Sequence, residues 1–195
     1  YRVLTETRIP KPDFDALINS GSYEEAAQLL FGNLPSGSFL EQIENEFGTE
    51  REIVGPVQRL PYLFKNAVIT TNFDSVISKC YANSNLKFDK ELLGADAKHL
   101  SRELGENKRV LVKLHGEAGS SQNRIFTKSE YEHHYSDQTF LENVIEVISS
   151  RTLLFLGCSL SVDRTIKALT NIVRRKGSEN VPRHYAFLQL QNDED

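Results

Sequence analysis

Short apolar runs alternate with amphipathic segments along the last two thirds of the chain. The candidate strands are residues 67–70, 109–114, 152–156 and 184–190. The candidate helices between them are residues 74–81, 97–104, 129–150 (in two pieces) and 162–175. Short apolar strands that alternate with helices are typical of a parallel sheet covered on both faces. The pattern therefore predicts an α/β fold with a Rossmann-like, doubly wound parallel sheet.

The first 64 residues have a different pattern. Three stretches, PDFDALINSG, SYEEAAQLLFG and SGSFLEQIENEFG, show helical spacing and end in Gly, and a short fourth piece, VGPVQRLPYL, is bounded by prolines. We therefore expect a single domain over residues 1–195, with a mostly helical part at 1–64 and the parallel α/β part at 65–195.

Composition limits the classes of function. Hydrophobic residues make up 39% and charged residues 26% of the 195 residues, which is typical of a folded domain. A net charge of −4 gives no general attraction to nucleic acid or to anionic lipid. The apolar runs are too short to span a bilayer, so we expect no membrane partner. The two cysteines, Cys80 and Cys158, form no C-x-x-C pair and favour a reducing, cytoplasmic location.

The first strand runs into the sequence TTNFD, with Asn72 and Asp74 where the chain enters a helix. Two interpretations are open. Asn and Asp cap helix starts by accepting hydrogen bonds from free backbone N–H groups. Alternatively, they contribute to a ligand site, because open α/β sheets bind ligands beyond the carboxyl ends of their strands.

Two further strand ends carry candidate chemistry. His115-Gly116 follows the second strand, and an imidazole there can act as a general base, although a lone His is more often structural. The third strand ends in Gly157 and Ser159 and opens a helix whose N–H groups can bind phosphate or hydroxyl oxygens. The alternative is an ordinary Gly turn with a Ser cap, in which Asp163 complements the helix dipole. Taken together, the three strand ends predict a ligand site.

These motifs resemble, in order and spacing, the sirtuin-like NAD-consuming domains, in particular their bacterial antiphage-defence branch. TTNFD is similar to the family's T-x-N-x-D element, KLHG to its strand with His-Gly, and GCSLSVD to its turn with Gly, Ser and Asp. RIFTKSEYEHHY is similar to a T-x-x-x-Y segment of the bacterial branch. The resemblance covers residues 57–190.

The resemblance implies a role for each site residue. Asn72 would orient the water or the nicotinamide ribose, and His115 would act as general base. Asp74 would contact the nicotinamide end of NAD, and Gly157 and Ser159 would hold its adenosine-side ribose or phosphates. The implied NAD-binding residues are Thr71, Asp74, Gly116, Gly157, Ser159 and Asp163.

Departures from the family pattern narrow the expected reaction. The four-cysteine zinc module of the deacylases is missing, and Thr71 stands where they have Gln before the key Asn. Both differences favour simple NAD cleavage over deacylation, and no metal is predicted. The family's Gly-rich G-A-G-x-S loop is not found from Tyr1 onward, and the sequence contains no Met. We therefore expect a fragment of a larger chain that lacks this strand and loop.

The expected function is that of an NAD glycohydrolase, which produces nicotinamide and ADP-ribose as the effector of an antiphage, abortive-infection defence protein. NAD is the expected substrate. The resemblance also implies a homo-oligomer and a defence partner such as a HerA-type ATPase, a short prokaryotic Argonaute or a phage protein. The alternatives are a non-catalytic module that binds NAD or a related nucleotide, and a protein deacylase or ADP-ribosyltransferase.

Overall fold

The structure is a computed structural model that describes residues 4, 7–48, 52–120, 124–157 and 164–188. The chain divides into two compact units, Tyr1–Ser136 and Asp137–Asp195. The arrangement of residues 1–195 as a single domain stays a prediction.

The first unit begins with helices and continues with strands that alternate with helices. Its α-helices are α1 (Lys11–Asn19), α2 (Tyr23–Asn33), α3 (Ser36–Ile43), α4 (Leu60–Leu63), α5 (Val76–Asn83), α6 (Leu100–Gly105) and α7 (Lys128–His134). Its strands are β1 (Ala67–Thr70), β2 (Lys90–Leu93) and β3 (Val110–Lys113). A π-helical turn (Glu44–Gly48) follows α3, and 3-10 turns (Pro56–Arg59 and Gly94–His99) precede α4 and α6.

The three strands form a parallel sheet in the order β1-β3-β2. β3 lies in the middle and all four of its residues are buried, which explains its apolar sequence. In the register of β1 with β3, Ala67 pairs with Val110 and Thr70 with Lys113. The two strands therefore end at the same edge of the sheet.

The helical N-terminal part packs against the turns at this edge. A buried cluster joins Leu34, Phe39 and Ile43 of the helical part to Ala118, which follows β3. The partly buried residues packed against this cluster are Leu30, Phe47, Phe73 and Phe126. The apolar faces of α2 and α3 are thus covered by the loops that follow the strands.

Tyr81 fixes the segment before β1 against α5. Its side chain is fully buried, its ring stacks on Phe88 at 4.2 Å, and its hydroxyl lies 3.2 Å from the Leu60 carbonyl oxygen and 2.8 Å from that of Phe64. Burial raises the pKa of Tyr81 to about 12. The phenol therefore bonds to both ends of α4, because Leu60 is its first residue and Phe64 follows its last.

The second unit contains α8 (Gln138–Ser149), β4 (Leu154–Phe155), α9 (Arg164–Lys176), a 3-10 turn (Ser178–Asn180) and β5 (Tyr185–Ala186). β4 and β5 pair in parallel. α8 packs against α9, and Arg175 contacts Glu142 at 3.2 Å and Glu146 at 3.0 Å across the two helices. These ion pairs are half-exposed, so each adds little to stability.

The predicted α/β fold with parallel strands is confirmed, and all four predicted strands are present. β4 and β5 are shorter than the predicted 152–156 and 184–190, where residues 189 and 190 lie outside the described residues. β2 was not predicted, because this edge strand begins with two exposed charged residues and only Leu92 is buried. Within the described ranges, no helix has both the length and the apolar character needed to cross a bilayer.

We expect the substitution Tyr81→Phe to lower the free energy of unfolding by about 1–2 kcal/mol, since the partly buried Phe64 carbonyl loses its hydroxyl donor while the ring stays packed. Chemical denaturation of the parent and the variant measures this difference. Tyr62→Phe is the matched control because the Tyr62 side chain is 60% exposed, and its stability should equal that of the parent. Equal stability of Tyr81→Phe and Tyr62→Phe would contradict the prediction.

We expect the free energy of unfolding to fall in acid because of Glu103 on α6. Its side chain is buried, and its carboxylate accepts hydrogen bonds from Lys108 Nζ at 2.6 Å and Arg102 Nη2 at 2.6 Å. These bonds lower the pKa of Glu103 from 4.5 to about 2, and the bond from Lys108 has the larger effect. A carboxyl with a lowered folded-state pKa stabilises the fold above its unfolded pKa, and this contribution disappears as the pH falls from about 4.5 to about 2.

Glu103→Gln should therefore be less stable than the parent at pH 7, and the two stabilities should converge as the pH falls toward about 2. Urea unfolding at a series of pH values measures the gap. The exposed Glu91 on β2 provides the control, Glu91→Gln, whose curve should run parallel to that of the parent. A gap of constant size for Glu103→Gln would exclude the proposed linkage.

Candidate active site

Asn72 and His115 follow paired positions of neighbouring strands. Thr70 and Lys113 are partners in the register, and each candidate residue comes two positions later in its own strand's loop. The parallel pairing therefore places both loops at one edge of the sheet, as the sequence predicted for these two strand ends.

The turn after β1 combines an exposed amide with a capping carboxylate. Asn72 is exposed, and its backbone N–H donates to Thr70 Oγ1 at 3.1 Å, while Thr71 is half-buried. Asp74 Oδ1 accepts a hydrogen bond from the Val76 N–H at 2.9 Å, at the start of α5. Asp74 thus bonds the first N–H of α5 from the position before the N-cap Ser75, whose own side chain makes no capping bond, whereas Asn72 is exposed to solvent.

The two loops are joined through the backbone of Phe73. Its carbonyl oxygen accepts hydrogen bonds from the Ala118 N–H at 3.2 Å and from Lys113 Nζ at 3.3 Å. Lys113 is only 1% exposed, and its ammonium also contacts Glu117 Oε1 at 3.0 Å. A buried ammonium needs such partners, and here they fix the loop that carries Asn72 to the loop that carries His115.

Aromatic rings surround the same turn. The Phe73 ring lies 5.4 Å from that of Phe126, 5.7 Å from that of Phe47 and 6.2 Å from the imidazole of His115. Rings at such distances pack in tilted or edge-on geometries that bury apolar area. One side of the His115 imidazole therefore faces an apolar aromatic group.

The half-buried His115 is held at both ring nitrogens by Tyr131 of α7 and by Tyr135, which caps the C-terminus of that helix. Nδ1 lies 3.1 Å from the Tyr131 hydroxyl, and Nε2 lies 3.0 Å from the Tyr135 hydroxyl. The His115 carbonyl accepts from the Ile125 N–H at 3.0 Å, which brings the chain before α7 next to the turn. Gly116 has φ +75°, a conformation that glycine adopts without strain, and its N–H closes the turn onto Lys113.

The third predicted strand end belongs to the second unit. Gly157 follows β4 with φ +67°, a conformation that favours glycine. Ser159 and Asp163 lie outside the described residues. The contribution of Gly157, Ser159 and Asp163 to the ligand site stays a prediction.

Three side chains at the site were missed by the sequence reasoning. Lys113 lies inside the predicted strand 109–114, and a single cation in an otherwise apolar run was the available signal. Tyr131 and Tyr135 were noticed only as part of the RIFTKSEYEHHY segment. Their spacing of four residues on a predicted helix was the signal that they share one face.

A surface cleft of about 750 Å³ in the first unit contains none of the predicted site residues. It lies along α5 and the segment before α4, and its lining includes Arg59, Lys79 and Cys80. The Cys80 thiol is buried, which raises its pKa, and it donates to the Val57 carbonyl at 3.2 Å. Within the described ranges, no three His, Cys, Asp or Glu side chains are grouped as metal ligands would be.

Comparisons with known proteins place the chain among SIR2-like domains. Residues 66–195 match the family model described as SIR2-like domain, and this range begins next to β1. Over 158 residues the chain is 28% identical to the NAD(+) hydrolase ThsA of Acinetobacter baumannii (strain 532279). The alignment covers 80% of the chain and 32% of that relative, so the chain spans about a third of the relative's length.

We expect Lys113→Met to loosen the turn at residues 71–76 while the free energy of unfolding changes by less than about 1 kcal/mol. Met keeps the buried aliphatic stem. Removal of the buried charge favours the folded state, whereas loss of the bond to the Phe73 carbonyl disfavours it, so the two effects on stability oppose each other. Hydrogen exchange followed by mass spectrometry should show faster exchange in peptides that contain residues 71–76. Lys90→Met, at an exposed position of β2, is the control. Unchanged exchange at 71–76 would show that Lys113 does not hold the turn.

Proposed function

We propose that this chain, which belongs to the SIR2-like domain family, cleaves NAD to nicotinamide and ADP-ribose at the strand ends that carry Asn72 and His115. The observation that carries the proposal is the shared edge: the register of β1 with β3 and the Phe73 carbonyl hold the two loops together. The similarity to an NAD(+) hydrolase supports the same reaction.

The reaction needs few groups from the protein. The pyridinium nitrogen of NAD is positively charged, so nicotinamide leaves as a neutral molecule when its bond to the ribose breaks. The ribose then carries an oxocarbenium-like positive charge, and water attacks its anomeric carbon. The protein must position that water, orient the ribose and accept one proton.

Asn72 and His115 provide these functions in our proposal. The Asn72 amide can donate to and accept from hydroxyl groups, and it is exposed at the site edge, so it orients the water or the nicotinamide ribose. His115 is the general base. The aromatic rings beside His115 limit access of bulk water from their side.

The remaining predicted residues bind the substrate. Thr71, Asp74 and Gly116 belong to the two loops described above and would contact the nicotinamide half of NAD. Gly157, Ser159 and Asp163 would hold the adenosine-side ribose or phosphates, as the resemblance of GCSLSVD implies.

The biological role is a proposal of wider scope. We propose that the chain acts as the effector part of a bacterial antiphage system and depletes NAD after infection. This role rests on the motif pattern and on the similarity to ThsA. Assembly into a homo-oligomer and activation by a defence partner, such as a HerA-type ATPase, a short Argonaute or a phage protein, belong to the same proposal.

We expect Asn72→Ala and His115→Ala to reduce nicotinamide release from NAD by at least about 100-fold in the full-length protein, since each removes a group that acts on the water or its proton. Chromatographic measurement of nicotinamide gives the rates, with infected-cell extract added where activation is needed. The matched controls are Asn83→Ala on α5 and His133→Ala on α7, both at exposed positions, and they should retain the parent's rate.

Three results would contradict this proposal in different ways. NAD binding without nicotinamide release by the parent would favour a non-catalytic nucleotide-binding module. Release that depends on an added acyl-lysine peptide or another acceptor would favour a deacylase or an ADP-ribosyltransferase. Full activity of folded His115→Ala would exclude His115 as the base.

A further inference from the structure

We infer that Tyr131 and Tyr135 form a tyrosine clamp on His115, in which Tyr131 positions the imidazole and Tyr135 passes the proton to it. The inference rests on the proposed function, because it assigns the two hydroxyls a part in the proton transfer of NAD cleavage. It follows from the observation that both nitrogens of a proposed general base already have hydrogen-bond partners.

The clamp is built on one face of one helix. Tyr135 caps the C-terminus of α7 and its N–H still donates to the Tyr131 carbonyl at 3.0 Å, so the two side chains, four positions apart, point in the same direction. Their rings are nearly parallel, at 21° and 6.1 Å, and both meet the imidazole edge-on, at 78° and 82°. The imidazole is therefore oriented by two rings as well as by two hydroxyls.

The start of α7 is anchored to the same turn. Thr127 and Glu130 form a capping box, and the Glu130 carboxylate also accepts from the Phe126 N–H at 2.8 Å. Thr127 is buried. One residue before Phe126, the Ile125 N–H donates to the His115 carbonyl at 3.0 Å. The backbone that begins α7 is thus bonded to the residue that its tyrosines contact.

Hydroxyl partners suit a histidine that gains and loses a proton. A neutral imidazole has one N–H and one free lone pair, whereas an imidazolium has two N–H groups. A tyrosine hydroxyl can donate or accept, so the clamp can pair with the imidazole in both states by rotation of the two O–H bonds. A carboxylate partner could only accept.

The two tyrosines differ in how they contact the ring. The Tyr131 ring centre lies 4.9 Å from that of His115, whereas the Tyr135 ring centre is 6.2 Å away. Tyr131 therefore combines ring contact with a bond to Nδ1, the nitrogen nearer the backbone. Tyr135 reaches His115 chiefly through its hydroxyl, at the outer nitrogen Nε2.

We assign His115 the tautomer with hydrogen on Nδ1, which gives one proton path. Nδ1–H donates to the Tyr131 oxygen, which leaves the lone pair on Nε2 to accept the Tyr135 O–H. As water attacks the anomeric carbon, its O–H bond breaks and the proton passes to the Tyr135 oxygen. The Tyr135 proton passes to Nε2, so the products are the new C–O bond, an intact phenol and an imidazolium. No oxidant or further reactant is required.

The first test measures the clamp without NAD. In protein with ¹⁵N-labelled histidine, the His115 signals, assigned by their loss in His115→Gln, should show a neutral ring with hydrogen on Nδ1. In Tyr131→Phe this preference should weaken, because Phe keeps the ring and removes only the hydroxyl. A His115 ring with hydrogen on Nε2 in the parent would overturn the inference.

The second test measures catalysis in the full-length protein. We expect Tyr131→Phe to lower kcat for nicotinamide release about 10-fold, and Tyr135→Phe about 100-fold, with little change in KM. The control is Tyr23→Phe, because the Tyr23 side chain is 65% exposed, and it should match the parent. Tyr135→Phe at the parent's kcat would overturn the relay. A parent that releases no nicotinamide would overturn the proposed function instead, and the labelling result would still decide the clamp.

Discussion

The site depends on the carbonyl group of Phe73. Strand pairing between β1 and β3 aligns the chain only as far as Thr70 and Lys113, and the candidate residues lie beyond that point. The Phe73 carbonyl accepts from Ala118 and from Lys113, so the end of β3 and the loop after it hold the residue that stands next to Asn72. Without these bonds, only packing of the Phe73 ring would join the two loops, and the distance between the amide and the base would vary more. Catalysis by positioned groups cannot tolerate such variation.

The buried Lys113 shows how this constraint is met. An ammonium group removed from water is costly unless its hydrogen bonds are replaced, and Lys113 obtains a carbonyl and a carboxylate as partners. An apolar residue would fill the same position in β3 without that cost but could not bond the Phe73 carbonyl. The cation therefore serves the geometry of the site more than the stability of the sheet.

The helical N-terminal part supports the site from outside the sheet. Phe39 and Phe47 pack against Phe126 and thereby against the aromatic group that includes Phe73. Gln28 of α2 accepts from the Ser129 N–H at 3.0 Å, at the beginning of the helix that carries both tyrosines. The helical N-terminal part thus contacts both the Asn72 turn and the start of α7.

The sequence by itself determined the strands at 67–70 and 109–114, the turns that follow them, and Asn72 and His115 as candidates, because apolar runs and Gly, Asn and Asp turns act through local geometry. It could not determine β2, which is defined by its partner β3 rather than by its own charged residues. Nor could it determine the burial of Lys113 or the bonds between His115 and the tyrosines. Those contacts join residues brought together by packing, so only the tertiary structure decided them.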